Sequence, residues 1–237
     1  MRILMLDTET TGLSQDPNAR VIELAYMIYD TEHGAIRSKS VLINPLKPGE
    51  ELTEEIIAIT GITTEMLREF GYSPREVWVK FADKLQQCHA IMCAFVDFDK
   101  TMCLREIGLL GIESNPRVWI DFLELPFSPL VKGRSVSHIA ADHGILNHFA
   151  HRAFGDVSTM AAVIEKMPPT LNWEEIYQLA SEPKVTLKAE VTFSNNALAK
   201  AAGFKWDPQV KIWFKKLPAS KVDAFVKDLK FKTTVQK

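Results

Sequence analysis

The chain reads as an α/β domain built on a mixed sheet, followed by a small, lysine-rich α+β domain. Three observations lead there. Three strand-like segments fill the first 43 residues. Helical and strand-like segments then alternate, which indicates a mixed sheet flanked by helices. Finally, the balance of charge reverses near Pro183.

The apolar run Ile3 to Leu6 reads as a short buried strand ending in Asp7-Thr8-Glu9. Arg20 to Asp30 is rich in β-formers and reads as a central strand, with Ile36 to Ile43 as its antiparallel neighbour, stopped by Asn44-Pro45. Together they predict a meander. Pro48 to Phe70 reads as two short helices broken at Thr60-Gly61-Ile62-Thr63. Pro74 to Gln87 carries the helical stripe Val77, Trp78, Phe81, Leu85. His89 to Val96 reads as a strand, Asp97 to Leu110 as a helix stopped by Gly111, and Val118 to Phe122 as a short strand. Ser135 to His143 and Ala150 to Lys166 are helical, the latter ended by Pro168-Pro169. A short helix from Trp173 to Ala180 precedes a boundary at Pro183, so the domains are expected at 1–182 and 183–237. Beyond it, Glu190 to Phe193 reads as extended, Asn195 to Ala202 as helical, Phe204 to Lys216 as a hairpin around Asp207-Pro208, and Pro218 to Leu229 as an amphipathic helix.

At 237 residues the chain can bury one sizeable core and a second small one. An apolar share of 46% and a charged share of 24% are those of ordinary soluble proteins, and no apolar run approaches the ~18 residues of a membrane span. The N-terminal apolar run stops at Asp7, too short for a secretory leader. Cys88, Cys93 and Cys103 are odd in number and lie in apolar surroundings, as reduced core thiols of a cytoplasmic protein would. The net charge of −2 hides an asymmetry: residues 184–237 sum to +8 and the remainder to −10. An acidic body with a basic tail suggests a catalytic unit joined to a module for a polyanion.

Alternate strand residues share a face, so Asp7 and Glu9 should project together. Two adjacent carboxylates repel unless a proton or cation intervenes, and hard divalent cations favour carboxylate oxygens. The plainer reading is a solvated strand end before a Thr-Thr-Gly turn. Asp99 opens a helix and could simply cap it; Asp156 could be a partner of its helix dipole; His151 could be a surface histidine. Jointly, four carboxylates and one histidine at element ends form a pattern, because such ends converge on one crevice in open α/β sheets. His138, His143, His148 and His151 could be read as zinc ligands, but their spacings match no zinc motif.

With those residues in view, the sequence resembles the DEDDh family of 3′–5′ exonucleases over about residues 2–166. The motifs are Asp7-Thr8-Glu9-Thr10-Thr11-Gly12-Leu13, then Phe98-Asp99 with Leu104, then His151-Arg152-Ala153 with Asp156. Two departures stand out. Ala94 and Phe95 replace a His-Asn pair, which leaves Asp97 as an alternative to Asp99, and Thr60 replaces a histidine before Gly61-Ile62-Thr63. The resemblance implies a ribonuclease H-like body that binds two divalent cations, Mg2+ or Mn2+, through Asp7, Glu9, Asp99 and Asp156. It implies His151 as general base, and Thr10, Thr11, Gly12 and Leu13 packed on the terminal nucleotide. Paired metals suit phosphodiester hydrolysis because they clamp the attacking and leaving oxygens. An imidazole suits the base because it titrates near neutral pH.

In the tail, Phe204-Lys205-Trp206-Asp207 and Lys211-Ile212-Trp213-Phe214-Lys215-Lys216 interleave aromatics with lysines, as a surface that stacks bases and neutralises phosphates would. A mini-core with Trp206 and Trp213 facing inward explains the aromatics equally well. The residues expected on nucleic acid there are Lys205, Trp206, Lys211 and Lys215. The tail is similar to that of exodeoxyribonuclease X, though more weakly than the body. The combined expectation is a 3′–5′ exonuclease releasing nucleoside 5′-monophosphates from DNA 3′ ends. RNA is the alternative substrate, a catalytically weakened nucleic-acid-binding protein is the alternative class, and a polymerase or repair partner is possible.

Overall fold

β1 (Arg2–Thr10), β2 (Val21–Asp30) and β3 (Gly34–Leu42) form the anticipated antiparallel meander, and β4 (Ala90–Cys93) and β5 (Val118–Asp121) extend it in parallel. The spatial order is β3-β2-β1-β4-β5, a mixed sheet. The structure, a computed structural model, describes residues 1–113, 115, 117–127, 135–147, 151–167 and 171–236. It divides into two compact units, Met1–Tyr177 and Gln178–Lys237.

In the first unit, helices α1 (Glu54–Thr60), α2 (Thr64–Phe70), α3 (Pro74–Gln86), α4 (Val96–Leu109), α5 (Val136–Asp142) and α6 (Ala153–Lys166) surround the sheet. Each of α1, α2 and α3 starts on a Thr or Ser whose side chain accepts a backbone N–H of the first turn. Strand alternation decides the layers. Leu4, Leu6, Leu24 and Ile91 pack with Trp78 and Phe81 of α3 and Met102 and Ile107 of α4. The opposite parity of β1 and β2 meets α6, which buries Val157, Met160, Val163 and Ile164. Asp7 and Glu9 belong to that second parity, so they sit on the α6 side at the C-terminal end of β1. There β1 pairs antiparallel with β2 and parallel with β4, the kind of switch in strand direction where crevices open.

Several boundaries differ from expectation. β1 runs on to Thr10, placing both acids on the strand proper. β4 stops at Cys93, because Ala94-Phe95 turn directly into α4. α6 begins at Ala153 rather than Ala150; His151 precedes it in the left-handed region, at φ 62°, which no helix accommodates. The expected helix stop at Pro168-Pro169 lies outside the described residues. Among the described residues, no helix is long and apolar enough to cross a membrane.

α7 (Trp173–Ser181) spans the junction of the two units. The second unit is an antiparallel sheet of order β7-β8-β6-β9, made by β6 (Lys184–Glu190), β7 (Lys205–Asp207), β8 (Ile212–Pro218) and β9 (Lys232–Gln236). α8 (Asn196–Ala201) and α9 (Val222–Lys227) cover it, around Leu187, Ala189, Ala199 and Phe204. The extended segment expected at Glu190–Phe193 lies earlier, in β6. β9 was not anticipated, since its mostly polar sequence has no buried side chain to announce it.

Candidate active site

Carboxylate oxygens of Asp7, Glu9 and Asp156 lie within 4.8 Å of one another. Asp7 and Glu9 arrive from β1; Asp156 arrives from the first turn of α6, which packs on β1. Asp156 is oriented by two donors, Asn147 Nδ2 at 2.7 Å and the His151 backbone N–H at 3.3 Å. Asp99 comes from the first turn of α4, buried, with Thr8 Oγ1 donating to its Oδ1 at 2.9 Å. Its charge adds to the field at both Asp7 and Glu9. Asp97, two residues earlier in the first turn of α4, is exposed. Three of the four motif acids, from β1 and α6, therefore share one cluster, and the fourth, Asp99 of α4, adds its charge to it.

The electrostatics follow from crowding. Burial, and then the charges of Asp99, Asp156 and Glu9, hold the Asp7 carboxyl well above the usual carboxylate range. Burial, Glu23 and Asp156 push Glu9 up to about 8, against a smaller opposing pull from Arg152. Burial pushes Asp99 up to about 7 although Thr8 stabilises its anion. Asp156 is raised by burial, with Asn147 and His151 opposing. In each case burial of the carboxylate is the first cause, and repulsion from neighbouring acids adds to it at Asp7 and Glu9. Among the described residues, none of these four acids forms an ion pair with a Lys or Arg. A partly open cluster of hard, anionic oxygens that resists ionising alone fits divalent cations of the magnesium or manganese class.

Glu23 and Arg152 were not anticipated as a pair. Glu23 stands on β2 directly opposite Glu9, where two like charges would repel. Its buried carboxylate instead accepts Nε and Nη2 of Arg152, both at 3.1 Å, the Ala153 N–H at 3.3 Å and Ser40 Oγ at 2.8 Å. Glu23 thus ties down the two residues after His151. The signal for it was an isolated acid in the otherwise continuous run Val21 to Tyr29. Asn147 carried no signal of its own. The His151 side chain is exposed at the mouth of the cluster.

The Thr10-Thr11-Gly12-Leu13 turn is held from inside: Thr10 Oγ1 donates to Gly12 O at 2.7 Å, and the Arg20 N–H donates to Thr11 Oγ1 at 2.9 Å. Leu13 is 71% exposed beyond it. Of the four tail positions, Lys205 is exposed on β7; Trp206 meets Trp213 at 5.6 Å between centroids; Lys211 occupies a turn at φ 54°. Lys215 lies 5.1 Å over the Phe225 ring of α9 and donates to Gly203 O. Of the histidines weighed as zinc ligands, His138 and His143 turn Nδ1 towards Ser135 Oγ and Ile139 O of their own helix, and His148 lies outside the described residues.

A family model described as Exonuclease matches residues 4–164, and a second, described as a domain of unknown function, matches 185–235. The 3′-5′ exonuclease DinG of Staphylococcus aureus is 30% identical over 199 residues, covering 77% of this chain and 20% of that protein. The chain thus spans about a fifth of the length of that curated relative. Among solved structures, E. coli exonuclease I in complex with a dT13 oligonucleotide aligns with TM-score 0.61 at 18% identity, over 84% of this chain and 50% of that one. The nuclease domain of 3′hExo, a DEDDh family member bound to rAMP, aligns with TM-score 0.57 at 16% identity, over 69% and 90%. Cell-death related nuclease 4 aligns with TM-score 0.59 at 15% identity, over 100% and 81%. With a ribonuclease H-like sheet, a convergence of motif acids at its switch point and the exonuclease model covering most of the first unit, the chain belongs to the DEDDh 3′–5′ exonuclease family.

Proposed function

We propose that this protein is a divalent-metal-dependent 3′–5′ exonuclease that hydrolyses the terminal phosphodiester of DNA and releases nucleoside 5′-monophosphates. The observation that carries the reading is the set of Asp7, Glu9 and Asp156 oxygens within 4.8 Å of one another, with Asp99 buried beside them. Two Mg2+ or Mn2+ ions held by these acids would supply Lewis-acid activation of the attacking water and neutralise charge on the phosphoryl oxygens. The protein's own groups do the rest. His151 stands at the mouth, on a backbone tied to Asp156 and Glu23, and takes the proton of the attacking water. Asn147 and the His151 N–H fix the Asp156 carboxylate against rotation. The Thr10-Thr11-Gly12 backbone and exposed Leu13 receive the terminal sugar and base without reading sequence. Ala94 and Phe95 leave this quartet intact, which favours an active enzyme over a weakened binding protein.

The test is digestion of 5′-labelled single-stranded DNA and RNA of matched sequence with magnesium or manganese. A ladder shortening from the 3′ end of DNA, abolished in Asp7→Ala and Asp99→Ala but retained in Asp97→Ala, is expected. Faster loss of the RNA reassigns the substrate; no metal-dependent turnover on either removes the enzymatic reading.

A further inference from the structure

Among the described residues, the helices of the second unit pack on one face of its sheet, and strand register decides what stands on the other. In β6, Val185, Leu187 and Ala189 point into the helix-covered core, so Lys184, Thr186 and Lys188 point the other way. In β8, Trp213 and Leu217 join the core and Lys215 reaches the Phe225 ring on that side, which leaves Phe214 and Lys216 on the open side. Cross-strand pairing aligns them: Lys205 of β7 faces Phe214, and Phe214 faces Lys188 of β6. One strand pair along, Lys216 faces Thr186. A half-buried aromatic ring in mid-sheet is therefore straddled by Lys188 and Lys205, each about 5 Å away across the ladder, with Lys216 two residues on. The acids of this face stand at its margins: Asp207 accepts the N–H groups of Gln209 and Val210 in the hairpin turn, and Glu190 stands opposite Lys232.

We propose that this face is a binding surface for single-stranded polynucleotide, with a base stacked on Phe214 and flanking phosphates neutralised by Lys188, Lys205 and Lys216. The charge commits the occupant to a polyanion, and the central ring commits it to one with accessible π-faces. A duplex, whose bases are already stacked, does not offer them. Trp206, 47% exposed against Trp213, and Lys215 stand on the opposite side of the sheet from Phe214, so the aromatic–lysine pattern of the hairpin divides between the two faces. The choice of ligand rests on the exonuclease reading, but binding is measured without metal, so its failure is separable from a failure of hydrolysis.

The experiment is fluorescence anisotropy of the full chain in chelator with labelled dT20, rU20 and a 20-base-pair duplex, over a salt series. Phe214→Ala is expected to weaken dT20 binding about tenfold, within the range for loss of one base stack. Phe214→Leu, which keeps the apolar bulk, does the same, and Phe214→Tyr retains affinity. The triple variant Lys188→Gln/Lys205→Gln/Lys216→Gln lowers the slope of log affinity against log salt by about 2, as expected for three phosphates of a single strand. The matched variant Lys200→Gln/Lys221→Gln/Lys227→Gln, which removes the same charge from the helical layer, keeps most of the slope. Equal losses from the two triple variants, unchanged affinity in Phe214→Leu, or tighter binding of duplex than of either single strand overturns the proposal. The dT20 and rU20 arms distinguish DNA from RNA as the strand it holds.

Discussion

The first unit holds two kinds of buried or half-buried acid, and they are treated oppositely. Glu106 of α4 is closed by Arg20, whose Nε and Nη2 donate to its two oxygens at 2.8 Å, and by the Val21 N–H. Glu23 is closed in the same bidentate manner by Arg152. In both pairs the hydrogen bond to the glutamate is the main reason the arginine holds its proton more tightly. Of the four motif acids, Asp99 receives a hydroxyl donor and Asp156 an amide and a backbone donor, and among the described residues no guanidinium or ammonium forms an ion pair with any of the four. A buried acid kept for architecture is supplied with its cation by the chain, since an uncompensated charge there is costly. Acids left short of positive charge imply a cation from outside. That difference carries more weight than the mere count of carboxylates, because it separates two populations within one sheet.

The largest effect expected from the comparison is on catalysis. Asp7→Asn keeps the shape of the side chain and removes the charge at the centre of the cluster. Turnover under single-turnover conditions should fall about a thousandfold or more, as for loss of several kcal/mol of metal-supplied stabilisation. A loss below tenfold would place Asp7 among the architectural acids instead.

Next comes pH. In chelator the folded-state carboxyls of Asp99, at about 7, and Glu9, at about 8, exceed their ordinary values of 3.8 and 4.5. A raised acid pKa means the native state binds more protons than the unfolded one, so stability is fully present below about pH 4 and is lost as pH rises through 7 to 8. Chemical denaturation should show the metal-free protein losing on the order of 3 kcal/mol between pH 5 and pH 9. The Asp7→Asn/Asp99→Asn variant should flatten that decline, and so should magnesium added to the parent protein. A parent as steep with magnesium as without it would contradict the assignment.

The paired acids should respond differently. Glu106→Gln and Glu23→Gln each strand a partly exposed arginine, and each should cost about 2 kcal/mol, less than for a fully enclosed pair because the freed guanidinium can reach water. Only Glu23 also fixes the backbone after His151, so Glu23→Gln alone should lower kcat about tenfold and alter its pH profile, with KM little changed. Equal kinetic losses in the two variants would show that Glu23 acts through stability alone.

Much of this was legible in the chain because it is local. The two-residue spacing of Asp7 and Glu9 on an apolar strand fixed a shared face, and the meander followed from three β-rich runs. What was not legible depends on distance or on burial. Nothing near Glu23 announces Arg152, which is 129 positions away. Asp97 and Asp99 stand on the same helical turn, and only the packing of α4 on the sheet buries one and exposes the other. In the second unit the interleaving of lysine and aromatics was visible, yet the side of the sheet each occupies required the β6 register. The alternation Val185, Leu187, Ala189 against Lys188 carries that information, in a stretch between Pro183 and Glu190 for which no element was expected. β9 pairs through its backbone as an edge strand, and its Lys-Thr-Thr-Val-Gln sequence says little about it.

The same contrast extends to apolar side chains and yields the smallest expected effect. Leu109, at the end of α4, is 61% exposed and Leu13 is 71% exposed, so neither contributes much to the core. Leu13, however, follows a turn locked by Thr10, Thr11 and Arg20 directly after the β1 acids, so the backbone that carries it is ordered at an entropic cost already met in folding. Truncating either to alanine should leave the melting temperature within about 1 °C, since surface changes of this kind lie within about 0.5 kcal/mol. Leu13→Ala should nonetheless raise KM for a single-stranded oligonucleotide about fivefold, equivalent to about 1 kcal/mol of apolar contact with the terminal base. Leu109→Ala should leave KM unchanged. If both variants behave alike, Leu13 is an ordinary exposed leucine and the terminal base is held by other groups.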